Sequence, residues 1–394
     1  MRPALLALLL AGLSLSACYE SHGAATPLPP RDAGAPVARP RWRGIESGNF
    51  FTCAIGFDRR TFCWGHNGSG QLGIGGGERE VFAPRQVQTD AAFVQLSAGS
   101  SHICGVTAEG ELLCWGSNVN LALGTGDDEN RDRPTRLTLP PIAAVAAGGF
   151  HTCALTELGE VLCWGDNARG QSGVEDMRRV PAAGRPVLEG VSAIALGGSH
   201  SCALRDDGVW CWGGSGRGEL GDGGGGDGDG AGRARPEPVP GTADAVAIFA
   251  GGATSCALLP GGAPLCWGAN DYGQVGDGGE VDRPRPTPGS ALPAEVVALT
   301  YGPHNHACLL GGDQRVRCWG FGGSGRLGDG TMDDHLTPVE PLDLPNAAAV
   351  STGQGHACAL TLGDRIFCWG LNLSGQLGVG PEGARPFPAE VVFE

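Results

Sequence analysis

The tripeptide Cys-Trp-Gly recurs seven times along the chain, at Trp64, Trp115, Trp164, Trp212, Trp267, Trp319 and Trp369. A unit that returns every fifty or so residues cannot bury its own apolar face alone, so copies must stack to build a continuous core. A second cysteine stands nine or ten residues upstream of each: Cys53 and Cys63, Cys104 and Cys114, Cys153 and Cys163, Cys202 and Cys211, Cys256 and Cys266, Cys308 and Cys318, Cys358 and Cys368. Fourteen of the 15 cysteines are accounted for in this way, leaving Cys18.

Each unit reads as a hairpin. In the third, Thr152-Cys153-Ala154-Leu155 runs into a turn at Glu157-Leu158-Gly159 and returns as Val161-Leu162-Cys163-Trp164, which sets Cys153 opposite Cys163. In the fourth unit the spacing is nine, yet a tighter turn at Asp206-Asp207 still sets Cys202 opposite Cys211. The pairs therefore follow hairpin register. Opposed positions of an antiparallel pair lie within disulfide reach, and an oxidising compartment would close seven cross-strand bridges. Fourteen buried thiols acting as small hydrophobes are the other reading. Zinc fits poorly, because the close Cys-x-x-Cys spacing of zinc sites is missing.

After each Trp-Gly the chain passes an Asn/Gly turn into Gly-Gln-Leu-Gly or a variant, as in Asn67–Gly73, Asn167–Gly173, Asn270–Gly276 and Asn372–Gly378. A variable polar loop, a proline and a short apolar strand such as Val145-Ala146-Ala147-Gly148 follow. With 70 Gly and 28 Pro among 394 residues, helical bundles are excluded and short strands joined by turns are favoured. Four short strands per unit, apolar rather than alternating, predict a propeller blade buried on both faces. The expected fold is all-β, a seven-bladed β-propeller over 43–394, with approximate repeats 43–92, 93–141, 142–190, 191–244, 245–295, 296–347 and 348–394.

The consensus Gly-Gly-x-His-Thr-Cys-Ala-Leu…Cys-Trp-Gly-x-Asn…Gly-Gln-Leu-Gly resembles the repeat of the regulator of chromosome condensation family, over about nine-tenths of the chain. The resemblance implies seven blades. The chain ends at Pro388–Glu394, one strand into a repeat, and Arg43–Ser47 offers the strand that comes next, so the two termini are expected to complete one blade together. The founding member is a guanine-nucleotide exchange factor for a nuclear GTPase, but this chain lacks a basic tail or an insertion resembling the exchange wedge. Its exported bacterial relatives resemble binding modules, one of them an inhibitor of β-lactamases.

Export is legible at the N-terminus. One Arg, an apolar run from Ala4 to Leu15 and small residues Ser16 and Ala17 read as a signal peptide over 1–17, too short for a resident membrane span. Leu15-Ser16-Ala17-Cys18 resembles the bacterial lipobox, with Cys18 as lipid attachment site; an ordinary leader with a chance cysteine is the alternative. Residues 18–42, with five prolines, form the expected tether, and Tyr19 after the lipid-bearing cysteine implies the outer membrane, on its periplasmic side or at the cell surface.

The formal charge of −15, and the absence of lysine among 27 basic residues, disfavour nucleic acid, the Gly-Lys-Ser/Thr phosphate loop and lysine chemistry. His102, His151, His200, His306 and His356 sit two before the first cysteine of five repeats, replaced by Phe51 and Thr254 in the others. They are expected to strut blade to blade, and the seven tryptophans to fill the core. No nucleophile elbow appears, so no catalytic residue is assigned. Asp127-Asp128, Asp206-Asp207 and Asp333-Asp334 read as solvated loop acids, and Gly221–Gly230 as a flexible loop lacking the third acid and closing Glu of a calcium hand. No cofactor or metal is expected.

Recognition is expected from the loops that vary between repeats, which a rigid scaffold displays on one face. They carry Glu78, Glu80 and Phe82; Asp127, Asp128, Glu129 and Arg131; Glu175, Asp176, Met177 and Arg178; Asp227 and Asp229; Glu280 and Asp282; Met332, Asp333, Asp334 and His335. Nine acids are the partner-binding candidates: Asp127, Asp128, Glu129, Glu175, Asp176, Glu280, Asp282, Asp333 and Asp334. Three functions follow: a monomeric, lipid-anchored, non-enzymatic module for a protein with a basic surface; an inhibitor of a periplasmic or secreted enzyme; and a carboxylate-dependent cell-wall or sugar-processing enzyme.

Overall fold

The computed structural model describes residues 42–175, 177–225 and 232–393. The leader, Cys18, the tether up to residue 41, Asp176, Asp227 and Asp229 lie outside the described residues. The described chain forms seven antiparallel four-stranded sheets, each made of four consecutive strands. In the first blade these are Trp42–Ser47, Phe51–Gly56, Thr61–His66 and Glu80–Gln86. The last is built of Ala347–Thr352, His356–Thr361, Ile366–Gly370 and Arg385–Glu390.

The termini therefore do not complete one blade together. The strand from 42 pairs within its own sheet, and the ring closes by side chains instead: Phe393 packs 4.3 Å from Trp42 and edge-on to Phe62 and Trp64. The tandem count misled the sequence reading. The C-terminal stretch that reads as the start of a further repeat is the end of the seventh blade's own fourth strand, Arg385–Glu390, whose prolines obscure the strand pattern.

The second strand of each blade is buried along nearly its whole length, whereas the fourth is half exposed and in most blades carries arginine and proline, as in Arg283–Pro288. Proline cannot donate to a ladder, so this composition blunts the outer edge of each sheet. Apolar packing runs between blades. Trp115 belongs with Phe51, Cys53 and Leu72 of the blade before it, and Trp369 with Leu310 and Leu327 of its predecessor. All seven indoles are fully buried, and each Nε1 donates to a carbonyl of the preceding blade at 2.8–3.2 Å: Gln376, Gln71, Ala122, Gln171, Glu219, Gln274 and Arg326 in order.

Each cysteine pair is a disulfide joining the two central strands, with Cα atoms 4.0–4.2 Å apart, including Cys202–Cys211 at the shorter spacing. In the chain-entropy account each such short loop contributes roughly 2.5–3 kcal/mol.

Candidate functional site

One end of the propeller gathers two kinds of loop. The turn between the first and second strands comes back to the axis, and the long loop after Trp-Gly starts beside it. In all seven blades an amide just past Trp-Gly donates to that turn: His66 to Phe50, Ser117 to Ser101, Asp166 to Phe150, Gly214 to Ser199, Ala269 to Ala253, Phe321 to Asn305 and Leu371 to Gly355. The glycine between has φ from +98° to +108°, a left-handed value that a side chain would strain. The variable loops and the axial turns thus share a face.

An asparagine organises most of these loops. Asn67, Asn118, Asn167, Asn270 and Asn372 donate from Nδ2 to loop carbonyls, and each Oδ1 accepts the amide five residues on. The sixth blade has Gly322 there, and Asp334 Oδ1 takes its amide at 2.8 Å.

Several candidate acids are loop braces rather than free charges. Asp127 accepts from the Glu129 amide, from Thr125 and from Arg131 at 2.6 Å; the Glu129 amide and then Arg131 hold its carboxyl below the usual range. Asp282 takes Arg217 of the previous blade through two bonds of 2.5 and 2.6 Å and also the Asn270 amide. Glu175 meets Arg235 of the next blade at 2.7 Å. Asp128, Glu129, Glu280 and Asp333 are exposed, Glu129 lying 3.6 Å from Arg131. The structure corrects the reading of Asp127 and Asp334 as solvated loop acids, since each braces its own loop; it also pairs the candidate Asp282 with an arginine from another blade, which spacing in sequence cannot show. The acids stand on separate blades, and where Asp271 and Asp282 converge the guanidinium of Arg217 fills the gap. Asp206-Asp207 sits at the opposite end of the propeller, where Asp207 accepts from Trp210 Nε1. Among the described residues no group of three or more His, Cys, Asp or Glu could hold a metal ion.

Sequence reasoning missed an aromatic and arginine cluster on this face. Tyr272 and Phe321, from neighbouring blades, lie 5.0 Å apart by ring centroid, and the Arg326 guanidinium stacks 4.6 Å over Phe321. Arg326 also donates to the carbonyls of Gly323, His304 and Gln354. Burial lowers its pKa to about 10, so it stays charged at neutral pH. The available signal was Arg326 itself, which replaces the glutamine of Gly-Gln-Leu-Gly. Val119, Phe150, Met332 and Leu373 are further exposed apolar residues on this face.

The histidines bridge blades. His102 Nε2 meets Thr152, His151 meets Ser201, His200 meets Ser255 and His356 meets Thr52, all at 2.8–2.9 Å, and each hydroxyl donates onward to a carbonyl of the histidine's own blade. For His306 the equivalent position of the next blade is Ala357, which offers no hydroxyl, and neither ring nitrogen has a hydrogen-bond partner among the described residues; the pair Phe51 and Ile103 replaces the polar bridge with apolar packing. Each ring lies over the glycine three or four residues before it, where a Cβ would come within 2.1–2.3 Å of His102, His151, His200, His306 or His356. This close approach explains the glycine of Gly-x-x-His.

The RCC1-like domain model matches residues 138–393, and the regulator of chromosome condensation repeat model matches 59–106 and 109–155. Among curated proteins the chain is similar to the human probable E3 ubiquitin-protein ligase HERC3, 30% identical over 97 residues, which are 24% of this chain and 9% of that one. It is also similar to the human regulator of chromosome condensation, 29% identical over 96 residues, 24% of this chain and 23% of that protein. The matched part thus spans less than a quarter of either relative. Yeast Prp20, in its complex with Kap60, superposes with a TM-score of 0.75 at 21% identity, covering 95% of this chain and 91% of its own. Human WBSCR16 gives 0.74 at 23% identity, covering 85% and 94%.

Proposed function

Given that the chain belongs to the RCC1-like domain family, we propose that it is an exported, lipid-anchored, non-enzymatic module that engages a protein partner of basic surface through its loop face. The observation that carries this reading is the display of seven unlike loops on one end of a scaffold stiffened by seven disulfides. Recognition concentrates on loops held by a rigid frame. Prp20, of like fold, was solved bound to Kap60 and studied for its binding to Gsp1p and histones, which supports a protein as the class of partner. Partner and anchor are this chain's own. The test is affinity capture from native envelope, using wild type and a Tyr272→Ala/Phe321→Ala pair: a partner held by the wild type and lost from the pair supports the reading, and equal recovery refutes it. Cys18→Ser should move the folded protein from the membrane to the soluble fraction; a soluble, unlipidated wild type would remove the anchor.

The Tyr272–Phe321–Arg326 cluster favours a second reading, an inhibitor of an exported enzyme, since aromatic and arginine anchors dominate tight interfaces. Loss of a captured enzyme's activity at one equivalent of propeller would distinguish it from the first.

A further inference from the structure

The seven inner strands, with their turns on the loop face, enclose a cavity of ≈ 200 Å³ on the axis. Its wall is mostly Gly, Ala, Ser and Thr. One ring of equivalent positions, each paired with the first cysteine of its blade, reads Glu46, Ser97, Ala146, Ala195, Phe249, Thr300 and Ser351. The short hydroxyls are engaged by neighbouring backbone: Ser97 Oγ accepts the Ala147 amide and Ser351 Oγ the Ser47 amide. Glu46, the single carboxylate of the wall, has neither hydrogen bond nor ion pair among the described residues. Glu46 is partly exposed to the cavity, and an unpaired carboxylate in so confined a wall favours either a proton or a cation.

We propose that the axial cavity receives one guanidinium or alkylammonium group, with Glu46 as its counter-charge and the surrounding hydroxyls and turn carbonyls as neutral acceptors. The volume decides the size class: drug-sized ligands occupy about 300–1,000 Å³, so this cavity suits a group of side-chain dimensions. The sign is set by the wall, which holds no cationic residue. Confinement in the wall pushes the Glu46 carboxyl up to about 8, so near neutral pH an entering cation competes with a proton for it. Tyr301 is the other titratable residue of the wall; burial raises its phenol, which stays neutral, with its oxygen 2.8 Å from Cys256 Sγ. On the flanking blades His102 and His356 are held neutral by burial, and Cys53, opposite Glu46, is locked in its disulfide. Affinity should therefore rise about tenfold per pH unit up to the Glu46 pKa and then level. The site is independent of the rim loops, so it stands or falls apart from the reading given above.

The cation could be a free solute or a partner's side chain, and two probes separate these. Agmatine represents the first, and a disulfide-closed peptide loop presenting one arginine the second; the same loop with citrulline is the neutral control. In calorimetric titrations of the oxidised protein, saturable binding of either cationic probe, weakened at least tenfold by Glu46→Gln and by the citrulline exchange, supports the site, and whichever probe binds assigns the source. No saturable binding of either probe, or equal binding to the Gln variant, overturns it. A measurement on wild type alone guards against a misfolded variant: carbon-13 titration should place the Glu46 carboxyl above the usual range and show it falling when the binding probe is added. An unchanged carboxyl pKa under a saturating probe also overturns the proposal.

Discussion

Five histidines stand at equivalent places in their blades, and burial gives them one electrostatic character. It lowers the imidazole of His102 and His200 to about 4 and that of His151 and His356 to about 3, with His306 depressed as well. In the unfolded chain the same groups take up protons near pH 6.5, so between that pH and the folded values the unfolded state binds more protons. Stability contributed by the neutral histidines is full above pH 6.5 and falls as the pH drops toward 4, by up to about 1.4 kcal/mol per pH unit for each proton difference. Denaturant midpoints measured from pH 7 to 4 should fall steadily, and a His151→Gln/His200→Gln double variant should show a shallower slope; an unaltered slope would mean these histidines do not set the acid limit. The strut role was legible because the histidine recurs two residues before the first cysteine of five repeats. The hydroxyl it meets was not, since that residue belongs to the next repeat.

Loops and strands differ in how much of them the sequence reveals. Hairpin register was readable because each cysteine pair and each turn fall in one continuous segment, and the pairing Cys202↔Cys211 survives a shortened turn. The fourth strand was nearly invisible: Arg-Pro-Arg-Pro-Thr-Pro over Arg283–Pro288 breaks every strand preference, yet it pairs as the outer edge. Loop carboxylates were visible as charges and invisible as braces. Asp282 clamps Arg217 across a blade boundary, with about a third of each side chain exposed, so solvent screening keeps the pair's worth to roughly 1 kcal/mol. Asp282→Asn should lower the denaturant midpoint accordingly, while Asp333→Asn, with its side chain in solvent, should leave it within about 0.5 kcal/mol. Equal effects of the two would return Asp282 to the class of free surface acids.

For the whole molecule the number of blades followed from counting Trp-Gly, but the manner of closure did not. The first and seventh blades meet through Trp42, Phe393, Leu377 and Val391 rather than through a shared sheet. Phe393→Ala should cost roughly 1–3 kcal/mol by opening that seam, without loss of strand signal in the far-ultraviolet circular dichroism. A parallel loss of strand content would show that the terminal segments do share a sheet. The loop face is the larger claim, and both ends of the propeller carry exposed apolar residues: Phe150, Met332 and Leu373 at the loop end, Leu158 and Leu362 at the other. Photo-crosslinking decides between them with little disturbance of the fold. With benzoylphenylalanine placed singly at these five positions and native envelope irradiated, positions 150, 332 and 373 should yield one shared higher-mass adduct and positions 158 and 362 none; an adduct formed only from 158 and 362 would contradict recognition through the loop face.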